Sequence, residues 1–221
     1  VQMADNQKTT GTTAGQPADS TGALHFATLD ALVDAMQALD DDPLASTGSK
    51  MVIYRGNPAA RLMIVGEAPG PQENKQGKPF VGPSGKLLEQ ILASVELSSE
   101  EDTFITNAVF RMPPGESTAV RKPTVAEIDY YKPYLDEVIR LIDPQIVLLT
   151  GGVSMRSVLN ETKLGITKVR GQWYQRNGRW IMPIFHPAYL LRNPEKTAGS
   201  PKALMWQDIQ EVRRKYDELG L

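Results

Sequence analysis

Residues 61–70 read RLMIVGEAPG. An apolar run from Leu62 to Val65 stops at Gly66, and the chain then turns through Glu67, Ala68, Pro69 and Gly70. A short apolar run bounded by turn residues reads as a buried strand. The glycines and proline behind it make a tight loop in which backbone approaches a ligand closely and a carboxylate is held in a fixed turn. Downstream, the pattern repeats. SGKLLEQILASV, Ser84–Val95, has helical periodicity, and Thr103–Val109 is a second strand. Thr124-Val-Ala-Glu127 is a capping box opening a long helix to about Ile142, ahead of Pro144. Ile146–Leu149 is a third strand and Ser154–Asn160 a short helix. Trp173–Phe185 is a hairpin around Asn177-Gly178, a dipeptide that favours the type I′ turn. Ser200-Pro201 caps and starts a terminal helix to about Glu218.

Strands alternating with helices predict an α/β domain, a three-layer αβα sandwich around a short, mostly parallel four-stranded sheet. Upstream, Leu24, Leu29, Leu32, Val33, Met36 and Leu39 recur at helical spacing, and Asp40-Asp41-Asp42-Pro43 ends that helix. Residues 1–22 are rich in Thr, Gly, Ala, Gln and Asp, with little to bury, and read as a disordered tail; residues 23–221 form a single domain.

Composition narrows the chemistry. The sequence holds no cysteine, which excludes disulfides, thiolate nucleophiles and cysteine-ligated clusters within it. Two histidines, His25 and His186, exclude a multi-histidine zinc site, and no Asp cluster suggests magnesium, so neither a metal nor a cofactor is expected. No apolar stretch approaches the roughly 20 residues of a membrane span, and no basic-then-apolar leader is present, so a cytoplasmic protein with no membrane partner is expected. The net charge of −2 conceals a division: residues 1–60 carry −4 and residues 61–221 carry +2. Basic residues group at Arg121-Lys122, Arg176 with Arg179, and Arg192 with Lys196 and Lys202. Charge alone reads these as solvated surface, and together with a pocket they read as a phosphate-facing patch.

In open α/β sheets, ligands bind outside the carboxyl ends of the strands. Each unusual motif follows or ends a predicted strand there. Gly66 and Ala68 flank Glu67, Thr106-Asn107 lies in the second strand, Gly151-Gly152 follows the third, and His186-Pro187-Ala188-Tyr189 follows the fourth. The glycine loop fits neither GxGxxG nor the P-loop pattern. Phe80, bracketed by glycine and proline, offers an aromatic face to a base, and Ser84 at a helix start suits a phosphate. Asn107 in an apolar strand has a structural reading and a base-reading one: its amide accepts from N3–H of uracil while donating to O4, and cytosine presents the opposite pattern. His186 at a strand end can donate to a developing oxyanion. Leu190, Leu191 and Arg192 pair apolar wedges with a cation.

In combination, GEAPG, GKPFVG, Thr106-Asn107, PPG…RKPT and HPAYLLRNP resemble, in order, the motifs of the uracil-DNA glycosylase superfamily, family 4 most closely, over roughly residues 39–215. The resemblance implies hydrolysis of the N-glycosidic bond of uracil flipped out of DNA. Phe80 would stack on the base, Asn107 read its edge, His186 stabilise O2 of the leaving anion, and Glu67 face the sugar cation or the attacking water. DNA containing uracil is the implied partner, with no obligate protein partner. Family 4 usually carries a [4Fe–4S] cluster on four cysteines, and by that likeness their positions hold Leu39, Asp42, Arg111 and Tyr131; an Asp42–Arg111 ion pair with Leu39 and Tyr131 as fillers is expected instead. Asn74 stands where the family commonly has aspartate, so an amide replaces a candidate base. Val120-Arg121-Lys122-Pro123 lacks the histidine with which one branch traps DNA covalently. The rival readings are a weakly catalytic or non-catalytic binder of uracil or abasic DNA, and a small-molecule enzyme on the same scaffold.

Overall fold

The structure, a computed structural model, describes residues 24–116 and 120–221. The tail read as disordered lies outside the described residues. Six strands form one sheet: β1 (Tyr54–Gly56), β2 (Leu62–Gly66), β3 (Thr103–Asn107), β4 (Ile146–Thr150), β5 (Tyr174–Arg176) and β6 (Arg179–Ile184), in the order β1-β3-β2-β4-β6-β5. The four central strands are parallel, and β1 and β5 add antiparallel edges. The expected four-stranded sheet is thus the centre of a larger one. The three-residue β1 shows no alternation to read, because strand identity over so short a span comes from pairing and not from periodicity. β5 is the first arm of the expected hairpin, and Asn177 and Gly178 have the positive φ angles, 50° and 76°, of a type I′ turn.

Alternation along β2 decides the layers, because successive side chains of a strand point to opposite faces. Met63 and Val65 join Phe104, Val147 and Leu149 in a core covered by helices α1 (Leu29–Gln37), α4 (Val125–Ile142) and α5 (Gly152–Leu159). Leu62 and Ile64 join Ile105, Leu148, Met182 and Ile184 under helices α3 (Pro83–Ala93), α7 (Pro187–Arg192) and α8 (Pro201–Glu218). This is the expected αβα sandwich. The Thr124 hydroxyl accepts from the Glu127 amide while the Glu127 carboxylate accepts from the Thr124 amide at 2.8 Å, completing the predicted box at the start of α4. Three short helices, α2 (Pro71–Gln76), α6 (Ile166–Val169) and α7, stand where the sequence pattern predicts none. Among the described residues, no helix is long and apolar enough to cross a membrane.

Leu39, Asp42, Arg111 and Tyr131 meet in one knot beneath α4. Arg111 Nε donates to Asp42 Oδ2 at 2.8 Å, and the Tyr131 hydroxyl donates to Asp42 Oδ1 at 2.5 Å. Further Arg111 N–H groups donate to the carbonyls of Leu39 at 3.0 Å and of Ser49. The Asp42 side chain has no solvent exposure and Tyr131 is fully buried. Burial, followed by the bond to Asp42, pushes the Tyr131 phenol well above its ordinary range. A [4Fe–4S] cluster requires thiolate ligands. The residues here offer none and bond to one another, so they do not fit that group.

Candidate functional site

The carboxyl ends of the four parallel strands deliver Glu67, Asn107, Gly151 and His186 to one cleft of about 650 Å³. In-register pairing puts Gly66 beside Asn107, and Gly151 donates its amide to the Ile184 carbonyl at 3.0 Å. Asn107 is 2% exposed, lines the cleft, and among the described residues its side-chain amide has no hydrogen-bond partner. Its polar atoms face the cleft and are available to a ligand there.

Phe80 is buried at the cleft wall in the left-handed region, with φ 54°. Its ring lies 5.8 Å from that of His186, 26° from parallel. A side chain on Gly66 would come within 2.5 Å of Phe80 Cε2 and closer still to Asn107 Oδ1, so only glycine lets the end of β2 pack against both without displacing them. Gly66→Ala is therefore expected to lower turnover by about tenfold or more while the fold loses only the ~1–3 kcal/mol of an overpacked site. Steady-state kinetics beside a urea melt tests this, and unchanged kinetics would show that Gly66 does not set the positions of Asn107 and Phe80.

His186 caps α7: its Nδ1 accepts from the Ala188 amide at 3.1 Å. That bond assigns the proton of the neutral ring to Nε2. Burial, then the neighbouring Arg192 guanidinium, pushes the imidazole pKa down to about 4, against a smaller upward pull from Glu73. At neutral pH the ring is an uncharged donor. Glu67 is half-buried on the same cleft, where burial pushes its carboxyl up against the opposing fields of Lys122 and Arg192.

Ala68, Ser84 and Arg192 also line the cleft. Of the two leucines read as wedges, only Leu191 is available, being 44% exposed. Leu190 is 1% exposed and packs beneath α7, because successive residues of a helix face different directions; it belongs to the core. Asn74 lies away from the cleft and accepts from the Lys50 amide at 2.7 Å. The amide that replaces the family's aspartate thus ties α2 to the segment beside the Arg111 knot.

Several cleft residues escaped the sequence reading. Lys122 was seen only as part of a basic pair, although that pair already marked it. Its loop is held by Arg121, which donates to both oxygens of Glu127 at 2.8 and 2.6 Å. Glu73 lines the cleft and accepts from the amides of Gly70, Val81 and Gly82 at 3.1, 2.9 and 2.7 Å. A Glu three residues after the Gly70 N-cap, where its carboxylate can reach back to the N-cap amide, was the available signal. Among the described residues no cluster of His, Asp or Glu suits a metal ion.

A parallel-centred αβα fold with a glycine loop, a buried amide, an aromatic wall and an uncharged histidine at its strand ends defines a class, and the sequence matches it: residues 53–210 fit the uracil DNA glycosylase superfamily, to which this chain belongs. Within it, the chain is 33% identical to a type-4 uracil-DNA glycosylase of Sulfurisphaera tokodaii, over 82% of this chain and 84% of that one. It is 37% identical to the enzyme so named from Saccharolobus solfataricus, over 75% and 78%. The match to the one from Thermotoga maritima is 33%, over 77% and 85%.

Proposed function

We propose that the protein removes uracil from DNA by hydrolysing its N-glycosidic bond after the nucleotide is turned out of the helix into the cleft. The observation that carries this reading is the unpartnered Asn107 amide lining the same cleft as the Phe80 ring and the His186 Nε2 donor. In this reading uracil enters the cleft as a flat ring stacked on Phe80, with N3–H donating to Asn107 Oδ1 and O4 accepting from its Nδ2. As the C1′–N1 bond lengthens, negative charge gathers on the pyrimidine and positive charge on the sugar. The His186 Nε2–H stabilises the first at O2, and the Glu67 carboxylate stabilises the second and orients water. Both act by charge and position; no covalent intermediate is needed. Lys122, Ser84 and Arg192 at the rim suit backbone phosphates, and exposed Leu191 suits the space the base vacates.

The deciding experiment incubates the purified protein with a labelled oligonucleotide bearing one uracil, then cleaves abasic sites with alkali. Strand scission confined to uracil and absent from a thymine control supports the proposal. A uracil-dependent mobility shift without scission would replace it with a binding function. Asn107→Asp sharpens the test: the ionised carboxylate accepts from N3–H but cannot donate to O4, and excision should fall by ~10–100-fold, the cost of one polar group left unpaired. Equal excision by wild type and Asn107→Asp would contradict the role of the amide.

A further inference from the structure

Phe80 needs an explanation, because a residue with a side chain rarely holds φ near 54° unless its surroundings impose it. Two side chains of opposite charge grip the backbone on either side of it. From β1, buried Arg55 donates Nε to the Pro79 carbonyl at 2.9 Å and Nη2 to the Phe80 carbonyl at 3.1 Å. From α2, Glu73 Oε1 accepts from the amides of Val81 and Gly82, and Oε2 from Gly70. The cation takes the carbonyls before the turn and the carboxylate takes the amides after it. Arg55 is itself anchored by Glu89 at 3.0 Å and by Glu100, and Gly85 leaves room for the Phe80 carbonyl, which a Cβ there would overlap.

We infer that Arg55 and Glu73 are positioning residues that lock Phe80 into the conformation presenting its ring to the base. The inference rests on the uracil-excision reading for its consequence, though not for the clamp itself. Neither side chain is assigned a step at the reacting bond: Glu73 works through three backbone N–H donors, two on Oε1 and one on Oε2.

The test compares Arg55→Lys, Glu73→Gln and Glu73→Ala by single-turnover excision, each alone and combined with Phe80→Leu, together with amide hydrogen exchange at Val81 and Gly82. Glu73→Gln retains an oxygen for Val81 and Gly82 but sets an NH2 against the Gly70 amide, so its loss should fall between wild type and Glu73→Ala. Glu73→Ala and Arg55→Lys should lose ~10–100-fold, the scale of a misplaced binding group. On the Phe80→Leu background those losses should shrink to under ~3-fold, because the residues act through that ring. Exchange at Val81 and Gly82 should quicken in Glu73→Ala and not in Glu73→Gln. Full losses persisting without Phe80, or Glu73→Gln as damaged as Glu73→Ala, would overturn the clamp. Should wild type release no uracil, the excision reading fails, and the exchange comparison still decides whether the clamp exists.

Discussion

Replacing His186 with alanine is expected to slow uracil release by ~10²–10³-fold, the usual cost of removing one donor from a developing oxyanion. The side chain has two duties, since its Nδ1 also caps α7 through the Ala188 amide. His186→Asn separates them: its shorter side chain keeps an acceptor near that amide and withdraws the donor from the cleft. It should be as slow as alanine while melting closer to wild type. The pH profile carries the sign. With the imidazole pKa held down to about 4 by burial, the ring stays neutral through the physiological range, and the rate should show no step near 6.5. Glu67 behaves oppositely. Its carboxyl is pushed up by burial, so the rate should fall on acidification at a higher pH than an exposed glutamate would give, as the carboxylate that faces the sugar cation is protonated. Single-turnover rates between pH 4 and 8 decide this. A step near 6.5 that vanishes in His186→Asn would mean that the imidazolium is the active form, and a wild-type acid limb that persists unmoved in Glu67→Gln would remove that carboxylate from the chemistry.

Asp42→Leu is the change expected to cost most stability, ~3–5 kcal/mol, because it strands the Arg111 guanidinium, only 12% exposed, without its counter-charge. The Tyr131 hydroxyl loses its acceptor at the same time. For a chain of this size, ~1 kcal/mol corresponds to roughly 2–4 °C in Tm. Removing both charges in Asp42→Leu with Arg111→Leu should be less damaging than Asp42→Leu alone, since no uncompensated ion then remains. Urea denaturation of the two single variants and the double measures the coupling. Additive losses would show that the pair is not a unit and that the knot is held by the packing of Tyr131 alone.

The order of strands and helices, the caps of α4 and α8, the Asn177-Gly178 turn and the convergence of four motifs at strand ends were legible from local chemistry. So were Glu67, Phe80, Asn107 and His186 as cleft residues. What was not legible has a common cause. The strand β1, three residues long, exists because Tyr54, Arg55 and Gly56 pair with Ile105 and its neighbours, and pairing with so distant a segment leaves no periodic mark. Arg55 therefore gave no sign of gripping the backbone at Phe80. Leu190 and Leu191 are alike in composition, and only the rotation of α7 against the sheet sends the first into the core and the second to solvent.

Periodicity, turn residues and capping patterns act between residues a few positions apart, and the amino-acid sequence by itself determined everything that depends on them: the αβα layering, the strand ends that build the cleft, and the absence of thiolates that ruled out a cysteine-held cluster. Tertiary structure alone decided what depends on contacts between distant segments. It bonded Asp42 to Arg111 and Tyr131, set Asn74 against Lys50 outside the cleft, and closed Arg55 and Glu73 around the turn at Phe80. The physical reason is range: a hydrogen bond between residues far apart in sequence is specified by the packing of whole layers, which no local stretch encodes.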